Sequence, residues 1–511
     1  MPSLTRRTFL KTTAAATGAA ALGHLLCGGA ADAAAKAGAA AQGAKQSAEQ
    51  QLVRQSSSQL LSLWEKPPEH VQQLYDACAR VLTAGRGATF ADVAADADVQ
   101  RLCKEHAVTH LGGPMLGDIS ADGARVWLRT CCAARVEVRV TVDGVEKTFG
   151  PVQATAETDL SAIVPVTGLK PGTRYPYRVL VDGRPIAIPE HAAIRTTPAE
   201  PNPASVRIAF GTCSHRFGLG NRKQADLIRS REPAAMLLCG DVAVSDRDNH
   251  CGHHRADYLL RDFYPAWQGL AAAVPAYAVW DDHDYFNNDK WGIPPGYADR
   301  DRLAVWNVFR RAWANPAYGF GEGRGGVFLR TRVGPCDVIL TDGRYFREKG
   351  SFLGKEQMEW LEKQLLDCKG PFIILESSTM WSDYVSNGKD SWGVYDPEGR
   401  ERIFSLIEKH RIGGVLLISG DRHGARGFRI PRPSGFTFYE FEPASLGGIT
   451  WGPAAKAPDD SEQLFGHLGY AFGEFTFNAA APDPTVIFQL ISEDGTVVHK
   501  MDLTRSQLTP K

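Results

Sequence analysis

The 511-residue chain lacks an excess of charge of either sign and lacks a long apolar run. Its 57 Lys and Arg residues nearly balance 58 Asp and Glu residues, for a formal net charge of −1, so no nucleic-acid-binding surface is expected. No segment offers the roughly 20 consecutive apolar residues of a membrane span, so we expect no stable membrane anchor. The 51 glycines and 30 prolines follow no collagen-like period. A composition of 43 % hydrophobic and 23 % charged residues instead predicts a folded globular protein.

Cysteine is also sparse for so long a chain, with ten residues, one of which is Cys27 near the N-terminus. A chain of this length can bury a large core without disulfides. If the N-terminal segment is removed, nine cysteines remain, so at least one is free, metal-bound or intermolecular. Cys131 and Cys132 are adjacent in a predicted strand region and should face opposite sides, so we expect partners elsewhere rather than a mutual bond.

The N-terminus has the features of an export signal. Residues 6–11 read Arg-Arg-Thr-Phe-Leu-Lys, an Ala- and Gly-rich run extends from Thr12 to Leu26, and small residues follow at 31–33. This pattern resembles a twin-arginine signal peptide over residues 1–33; the alternative is a short N-terminal helix. A lipid anchor at Cys27 is disfavoured because the bulky Leu26 precedes it. We therefore expect export of the folded chain by the twin-arginine machinery, to the periplasm or outside the cell.

The remaining chain divides into four predicted regions that differ in composition and in the spacing of their apolar residues. Residues 34–58, rich in Ala, Gly, Gln and Ser, predict a flexible linker. Apolar residues at helical spacing predict a helical extension over 59–108. Alternating apolar and polar residues with Gly-containing turns predict a β-sandwich over 109–198, whose stretch 168–175 resembles immunoglobulin-like and fibronectin type III domains. Short apolar strands alternating with amphipathic helices predict an α/β domain over 204–505.

Five apolar strands of this last region end in residues that can bind metals. The strands cover 206–210, 235–239, 276–280, 338–341 and 415–419. The side chains that follow them are Cys213 and His215, then Asp241, then Asp282 and His283, then Arg344, then Asp421 and His423. The carboxyl ends of neighbouring strands meet in one crevice, where several carboxylates would repel one another unless cations neutralised them. Each element alone is more often a turn, a helix cap or a core residue, so the prediction of a metal centre depends on the series.

The motifs together resemble one enzyme family. Gly-Thr-Cys-Ser at 211–214, Gly-Asp at 240–241, Trp-Asp-Asp-His-Asp at 280–284, Asp-Gly-Arg-Tyr-Phe-Arg at 342–347 and Ser-Gly-Asp-Arg-His at 419–423 are similar to the PhoD-like (alkaline phosphatase D) branch of the calcineurin-like metallophosphatases. The resemblance covers roughly residues 110–505. It implies an α/β metallophosphatase fold of two central mixed sheets flanked by helices, preceded by an all-β immunoglobulin/fibronectin-like sandwich. It also implies an exported metal-dependent phosphoesterase, an alkaline phosphatase or phosphodiesterase.

The resemblance further implies a ligand set for a dinuclear centre. Asp241 matches the acid that bridges both ions, and a metal-bound hydroxide would attack the phosphate ester. The other implied ligands are Cys213, His215, Asp282, Asn288, Asp421 and His423, with Asn287 competing for the place of Asn288. The ions implied are ferric iron with calcium, and zinc or manganese are alternatives.

The implied catalytic residues are His283, Asp284 and Arg344. His283 would contact the phosphate or protonate the leaving alkoxide, with Asp284 holding its other nitrogen. Arg344 would hold phosphate oxygens; its alternative role is a structural salt bridge.

The chain departs from the family at Val244, where members usually carry a Tyr that binds iron. Either His215 substitutes for it, or the metal differs, or the activity has drifted. The alternative function is therefore a non-catalytic exported protein that binds metal or phosphoesters on the same fold. The loop predicted at 250–254, His-Cys-Gly-His-His, would hold a further ion, cover the site or simply be solvated.

Overall fold

The computed structural model describes residues 51–52, 54–199, 205–383, 391–450 and 462–511. The predicted signal peptide, and the predicted linker as far as residue 50, lie outside the described residues.

Helices open the described chain and pack against the α/β region. They are α1 (Ser57–Leu61), α2 (Glu69–Thr83), α3 (Phe90–Ala95) and α4 (Ala97–Glu105). The Ser56 side chain caps α1 by accepting a hydrogen bond from the Gln59 backbone, and the Gln55 carbonyl accepts one from Arg216. The linker predicted to end at residue 58 is therefore too long at its C-terminal end, because these residues already have fixed partners.

Strands then form two antiparallel sheets. The strands are β1 (His110–Gly117), β2 (Ala124–Thr130), β3 (Ala134–Val142), β4 (Val145–Ala154), β5 (Ser161–Val166), β6 (Arg174–Val181), β7 (Arg184–Pro185) and β8 (Ala193–Arg195). One sheet has the order β1-β2-β5, and the other has the order β4-β3-β6-β7, with β8 paired to β6. Alternate residues of β3 and of the first part of β6 are buried, as the two-residue period predicts.

The α/β region holds two mixed sheets. The strands of the first are β9 (Val206–Gly211), β10 (Ala235–Cys239), β11 (Ala276–Val279), β19 (Ala471–Asn478), β20 (Thr485–Ser492) and β21 (Val497–Thr504). Those of the second are β12 (Leu329–Val333), β13 (Cys336–Leu340), β14 (Phe372–Ser377), β15 (Val415–Ser419), β16 (Ala425–Pro431), β17 (Thr437–Glu442) and β18 (Gln463–His467). The orders are β11-β10-β9-β19-β20-β21 and β12-β13-β14-β15-β17-β16-β18.

Helices connect and flank these strands. They are α5 (His215–Gly218), α6 (Arg222–Ser230), α7 (Cys251–Phe263), α8 (Pro265–Ala271), α9 (Asp282–Tyr285), α10 (Asp299–Ala312), α11 (Gly354–Asp367), α12 (Trp392–Tyr395) and α13 (Pro397–Lys409). The predicted loop at 250–254 is instead the start of α7, where His250 accepts a hydrogen bond from the His253 backbone and caps the helix.

Aromatic side chains fill the space between the two mixed sheets. Phe441 of β17 packs on Phe475 of β19 and Phe488 of β20, with ring centroids 5.4 and 4.3 Å apart. Phe372 of β14 lies 5.0 Å from Phe477 of β19. Because both sheets bury one face in this layer, their strand ends lie side by side. The predicted α/β fold with two mixed sheets and flanking helices is confirmed.

Candidate metal centre

The site begins at the carboxyl ends of the parallel strands β9 and β10. Their loops are tied together, since the Cys213 backbone donates to the Gly240 carbonyl at 3.2 Å and the His215 backbone donates to the Asp241 carbonyl at 2.6 Å. Gly240 has φ +85°, and a Cβ there would lie 2.5 Å from the Asp281 Cβ. Glycine is therefore required at this turn, which explains the Gly-Asp motif.

Three groups of side chains each place ligand atoms within 4.8 Å of one another. They are Cys213, Asp241 and His423; Asp241, Asp282 and His283; and Asp281, Asp282 and Asp421. Asp241 belongs to two of these groups, and so does Asp282. The structure thus brings together side chains that follow β9, β10, β11 and β15, as the strand-end pattern predicts.

The side chain of Asp241 is fully buried. Among the described residues, neither of its carboxylate oxygens accepts a hydrogen bond. Burial, together with the neighbouring carboxylates of Asp281, Asp282 and Asp284, raises the pKa of Asp241 well above its usual range, against the opposing charge of His283. A buried carboxylate in this state is costly unless a cation binds it, so Asp241 fits the place of a metal ligand.

Two buried histidines present further donor nitrogens. The His215 ring stacks on the His423 ring with centroids 5.4 Å apart, and within the described structure the His215 Nε2 has no hydrogen-bond partner. Burial lowers the pKa of His215 well below its usual range and lowers that of His423 to about 4. Both rings are therefore neutral at pH 7, the form that can bind a metal.

The backbone is unusual at these same residues. Cys213, His215, Asp241, Asp421 and His423 have φ values of 53°, 47°, 55°, 78° and 61°. Such left-handed conformations are uncommon for residues other than glycine and cluster at functional sites. Five of the predicted ligand residues therefore share a backbone conformation that most residues avoid.

His283 pairs with a carboxylate that the sequence analysis missed. Its Nδ1 lies 2.8 Å from the Asp246 Oδ1. Burial lowers the pKa of His283, but the carboxylates of Asp241, Asp282 and Asp246 outweigh it and raise the pKa well above its usual range. Asp246 follows Asp241 by five residues in an acidic loop. Because the loop holds several acidic residues, the sequence alone does not indicate which of them pairs with His283.

The predicted role of Asp284 is wrong. Its carboxylate accepts hydrogen bonds from the backbones of Val242, Ala243 and Val244 at 3.1 to 3.2 Å, so it shapes the loop after Asp241 and does not hold His283.

Val244 itself is fully buried and offers no side-chain donor, whereas the ring of His215 lies 5.0 Å from that of His283.

Arg344 is buried and paired with another residue that the sequence analysis missed. Its Nε donates to the Asp281 Oδ1 at 2.5 Å, and its Nη2 lies 3.8 Å from the Asp282 Oδ1. The salt-bridge alternative for Arg344 therefore describes its contacts in the structure, and a phosphate-holding role stays a prediction. Asp281 directly precedes Asp282, and nothing in the sequence separates their roles.

Asn288 lies at the exposed edge of this cluster. Its side-chain amide donates to the Asp289 Oδ2 at 2.9 Å, while its backbone donates to the Asp246 Oδ1 at 2.8 Å. The side chain of Asn287 donates to Asp248. Neither amide has a carboxylate of the three donor groups as its hydrogen-bond partner, and the metal role of Asn288 stays a prediction.

Comparisons with known proteins agree with this geometry. Residues 326–482 match the family model described as PhoD-like phosphatase, residues 108–199 match a domain of unknown function (DUF7800), and residues 3–23 match the twin-arginine translocation signal sequence. Alkaline phosphatase D of Bacillus subtilis (strain 168) is 25 % identical over 220 residues, which are 36 % of this chain and 36 % of that protein. The chain thus matches about a third of the length of this curated relative.

Two solved structures share the fold. A structure of PhoD superposes with a TM-score of 0.60 at 17 % identity, covering 77 % of this chain and 92 % of that one. A purple acid phosphatase from yellow lupin (Lupinus luteus) seeds gives 0.58 at 15 % identity, covering 77 % and 74 %.

The chain therefore shares its fold with PhoD and with a purple acid phosphatase, and its residues 326–482 match the PhoD-like phosphatase model. The predicted resemblance to PhoD-like phosphatases is confirmed.

The twin-arginine signal indicates export to the periplasm or out of the cell, which confirms the predicted localisation. Among the helices that the structure describes, none is both long and apolar enough to cross a membrane.

Proposed function

We propose that the protein is an exported phosphoesterase that hydrolyses phosphate mono- or diesters at a dinuclear metal centre built on Asp241. The observation that carries the proposal is that the Asp241 carboxylate is buried, accepts no hydrogen bond from the described residues and is shared by two donor groups. A carboxylate shared in this way suits an ion on each side.

The donor types suit two different ions. Cys213, His423 and Asp241, with His215 beside them, offer sulfur, nitrogen and oxygen to one ion, and the family resemblance favours ferric iron there. Asp241 and Asp282 offer hard oxygens to the other, with Asp421 and Asn288 as the remaining predicted ligands, and calcium suits such a set. Zinc or manganese are alternatives. When bound, the ions supply Lewis acidity that polarises the phosphoryl group and lowers the pKa of a water.

The protein groups around the ions handle the proton and the developing charge. Because Asp246 accepts at the His283 Nδ1 and the surrounding carboxylates favour the protonated ring, His283 can give a proton from Nε2 to the leaving oxygen. Asp246 is then a positioning residue. Arg344, fixed by Asp281, places positive charge beside the centre, where it balances the carboxylates and the phosphate.

Hydrolysis of p-nitrophenyl phosphate and of its bis-ester, measured across pH with the metal content of the same sample, tests the proposal. The expected result is turnover of at least one ester that falls on replacing His283 with Ala while the metal stays bound. His410→Ala, an exposed histidine far along the chain, is the matched control and should change neither. Full metal occupancy without hydrolysis of either ester would favour the alternative, a non-catalytic binding protein, which the apolar Val244 motivates.

We also propose that residues 109–198 form an immunoglobulin/fibronectin-like sandwich and residues 204–505 the catalytic domain. Two antiparallel sheets in the first region support this assignment. The β-rich region contacts the catalytic one directly. Trp127 donates to the Arg311 carbonyl at 2.9 Å, and the Tyr277 hydroxyl accepts from the Ile119 backbone at 2.8 Å. We interpret it as a packing domain for the catalytic region.

A further inference from the structure

Four cysteines lie where the helical extension meets the β-rich region. Cys78 is on α2, Cys103 is on α4, and Cys131 and Cys132 directly follow β2. The first three are buried and Cys132 is exposed. All four are thiols in the structure, and none belongs to the metal centre.

The backbone around these cysteines brings Cys103 and Cys131 together. The Val108 backbone donates to the Cys103 carbonyl at 2.8 Å, and the Val108 carbonyl accepts from the Cys131 thiol at 3.4 Å. The Cys131 backbone also donates to the Thr109 carbonyl at 3.1 Å. One short segment therefore fixes both cysteines, and the Cys131 thiol has side-chain hydrogen bonds with the thiols of Cys103 and Cys132.

We propose that Cys103 and Cys131 form a disulfide after export. The periplasm and the extracellular space are oxidising, so adjacent thiols there are expected to become oxidised. The twin-arginine signal indicates that the chain reaches such a compartment. The two thiols share a buried contact, so little movement is needed to join them.

The oxidant is a protein or small-molecule disulfide of that compartment. One cysteine thiolate attacks it, forms a mixed disulfide and releases one thiol; the second cysteine attacks the mixed disulfide and releases the other thiol. The two protein thiols lose two protons and two electrons, and the external disulfide is reduced to two thiols. The hydrogen bond from Cys131 lowers the pKa of Cys103, which makes Cys103 the more easily ionised attacker.

The neighbouring cysteines are less suited to the bond. Burial raises the pKa of Cys78 to about 12, so Cys78 is a poorer first attacker than Cys103. The hydrogen bond with Cys103 and burial also raise the pKa of Cys131 well above its usual range, which makes Cys131 the second cysteine to react. Cys132 also contacts the Cys131 thiol but is exposed. Burial of its sulfur raises the pKa of Cys132 to about 11, so it is a poorer attacker than Cys103, and the peptide map below distinguishes the two bonds.

The bond would also brace the catalytic region. It would join α4 to the end of β2. In the same N-terminal extension, the Ser57 hydroxyl and the Gln55 carbonyl accept hydrogen bonds from Arg216. Arg216 directly follows His215, a residue of the candidate metal centre. The disulfide would thus stabilise the support of that centre without touching the metal.

The test compares the full chain, exported through its own signal, with a form kept in the cytoplasm by Arg6→Lys and Arg7→Lys. Free thiols are alkylated on lysis, and the protein is digested without reduction for peptide mapping. We expect a peptide pair linked through Cys103 and Cys131 in the exported chain and two alkylated thiols in the retained chain. Cys103→Ser should abolish the pair, whereas the matched control Cys78→Ser should keep it.

Alkylation of both Cys103 and Cys131 in the exported chain would overturn the proposal, and so would a bond between Cys131 and Cys132. Because the map is read from the unaltered sequence, it remains decisive even if a variant folds poorly. A second readout is the half-life of folded protein at raised temperature. Reductant should shorten it for the exported chain and leave it unchanged for Cys103→Ser.

Discussion

Two buried aspartates in this molecule differ in what surrounds them. Asp257 on α7 accepts from the Arg247 Nε at 2.7 Å and from the Ser57 hydroxyl at 3.1 Å. Burial raises the pKa of Asp257, but Arg247 and Arg216 outweigh it and hold the pKa below its usual range. Asp241 is equally buried and, among the described residues, has no hydrogen-bond donor, and its pKa is raised well above the usual range.

Because of this difference in hydrogen-bond and ion-pair partners, Asp257 is a structural carboxylate, whereas Asp241 has the features of a ligand-binding one. The chain itself supplies the cations for Asp257, so that charge is compensated as soon as the protein folds. Asp241 sits instead among further carboxylates, and its compensation must come from outside the chain. Substitutions of the two aspartates should therefore have different effects on activity, metal content and stability.

Asp241→Asn should abolish most of the activity, because it removes a ligand shared by two donor groups. The loss in kcat/KM should exceed the ~100-fold that outer-sphere substitutions around metals cost. Steady-state hydrolysis of p-nitrophenyl phosphate and of its bis-ester measures it. Asp257→Asn is the matched control, and per folded molecule it should retain activity; equal loss in both variants would contradict the distinction.

His283→Ala should lower kcat by roughly 10²- to 10⁴-fold, the usual contribution of a general acid. Asp246→Asn should cause a smaller loss and shift the basic limb of the pH profile to lower pH, because the amide no longer favours the protonated ring of His283. Both variants should keep their metal, as measured by elemental analysis. An unchanged pH profile in Asp246→Asn would show that the contact only supports the loop.

Asp257→Asn should instead destabilise the fold, by about 3–5 kcal/mol, because it leaves buried arginines without their carboxylate. Asp241→Asn should stabilise the metal-free protein, since it removes a buried charge that has no donor. Denaturant unfolding in the presence of a chelator measures both changes. The two substitutions should move the midpoint in opposite directions, and a shift of the same sign would refute the contrast.

The smallest effect concerns pH. His254 is buried, its Nε2 donates to the Asp248 carbonyl at 2.9 Å, and burial lowers its pKa to about 4. The unfolded chain takes up this proton near pH 6.5, so folding excludes it between about pH 6.5 and 4. Stability is full above that window and falls as the pH drops through it, by about 3 kcal/mol for this residue.

His254→Gln keeps a donor and removes the titration, so the variant should lose less stability than the parent between pH 7 and pH 4.5. Denaturant unfolding at both pH values measures the difference. Identical pH dependence in the two proteins would show that His254 does not contribute.

The strand-end cluster could be predicted because continuous apolar strands locate the buried sheets, and their carboxyl ends must meet. This reasoning places Cys213, Asp241, Asp282 and His423 together without any contact being known. The alternation of β3 was predictable for the same reason, since side chains of a strand alternate between two faces.

The sequence could not show that Asp246, and not Asp284, pairs with His283. This pairing depends on how the loop after Asp241 folds, because three backbone amides of that loop turn toward Asp284 and leave Asp246 to meet His283. The pairing of Asp281 with Arg344 likewise joins the ends of strands in different sheets. Both contacts are set by loop paths that adjacent acidic residues do not encode.

The metal content of the protein shows whether Asp241 binds an ion. The natively exported chain, purified without added metal and analysed by elemental mass spectrometry, should carry tightly bound ions in stoichiometric amount. Asp241→Asn should lose them while Asp257→Asn keeps them. A folded parent protein without bound ions, or an Asp241→Asn variant with the same metal content as the parent, would contradict a metal centre built on Asp241.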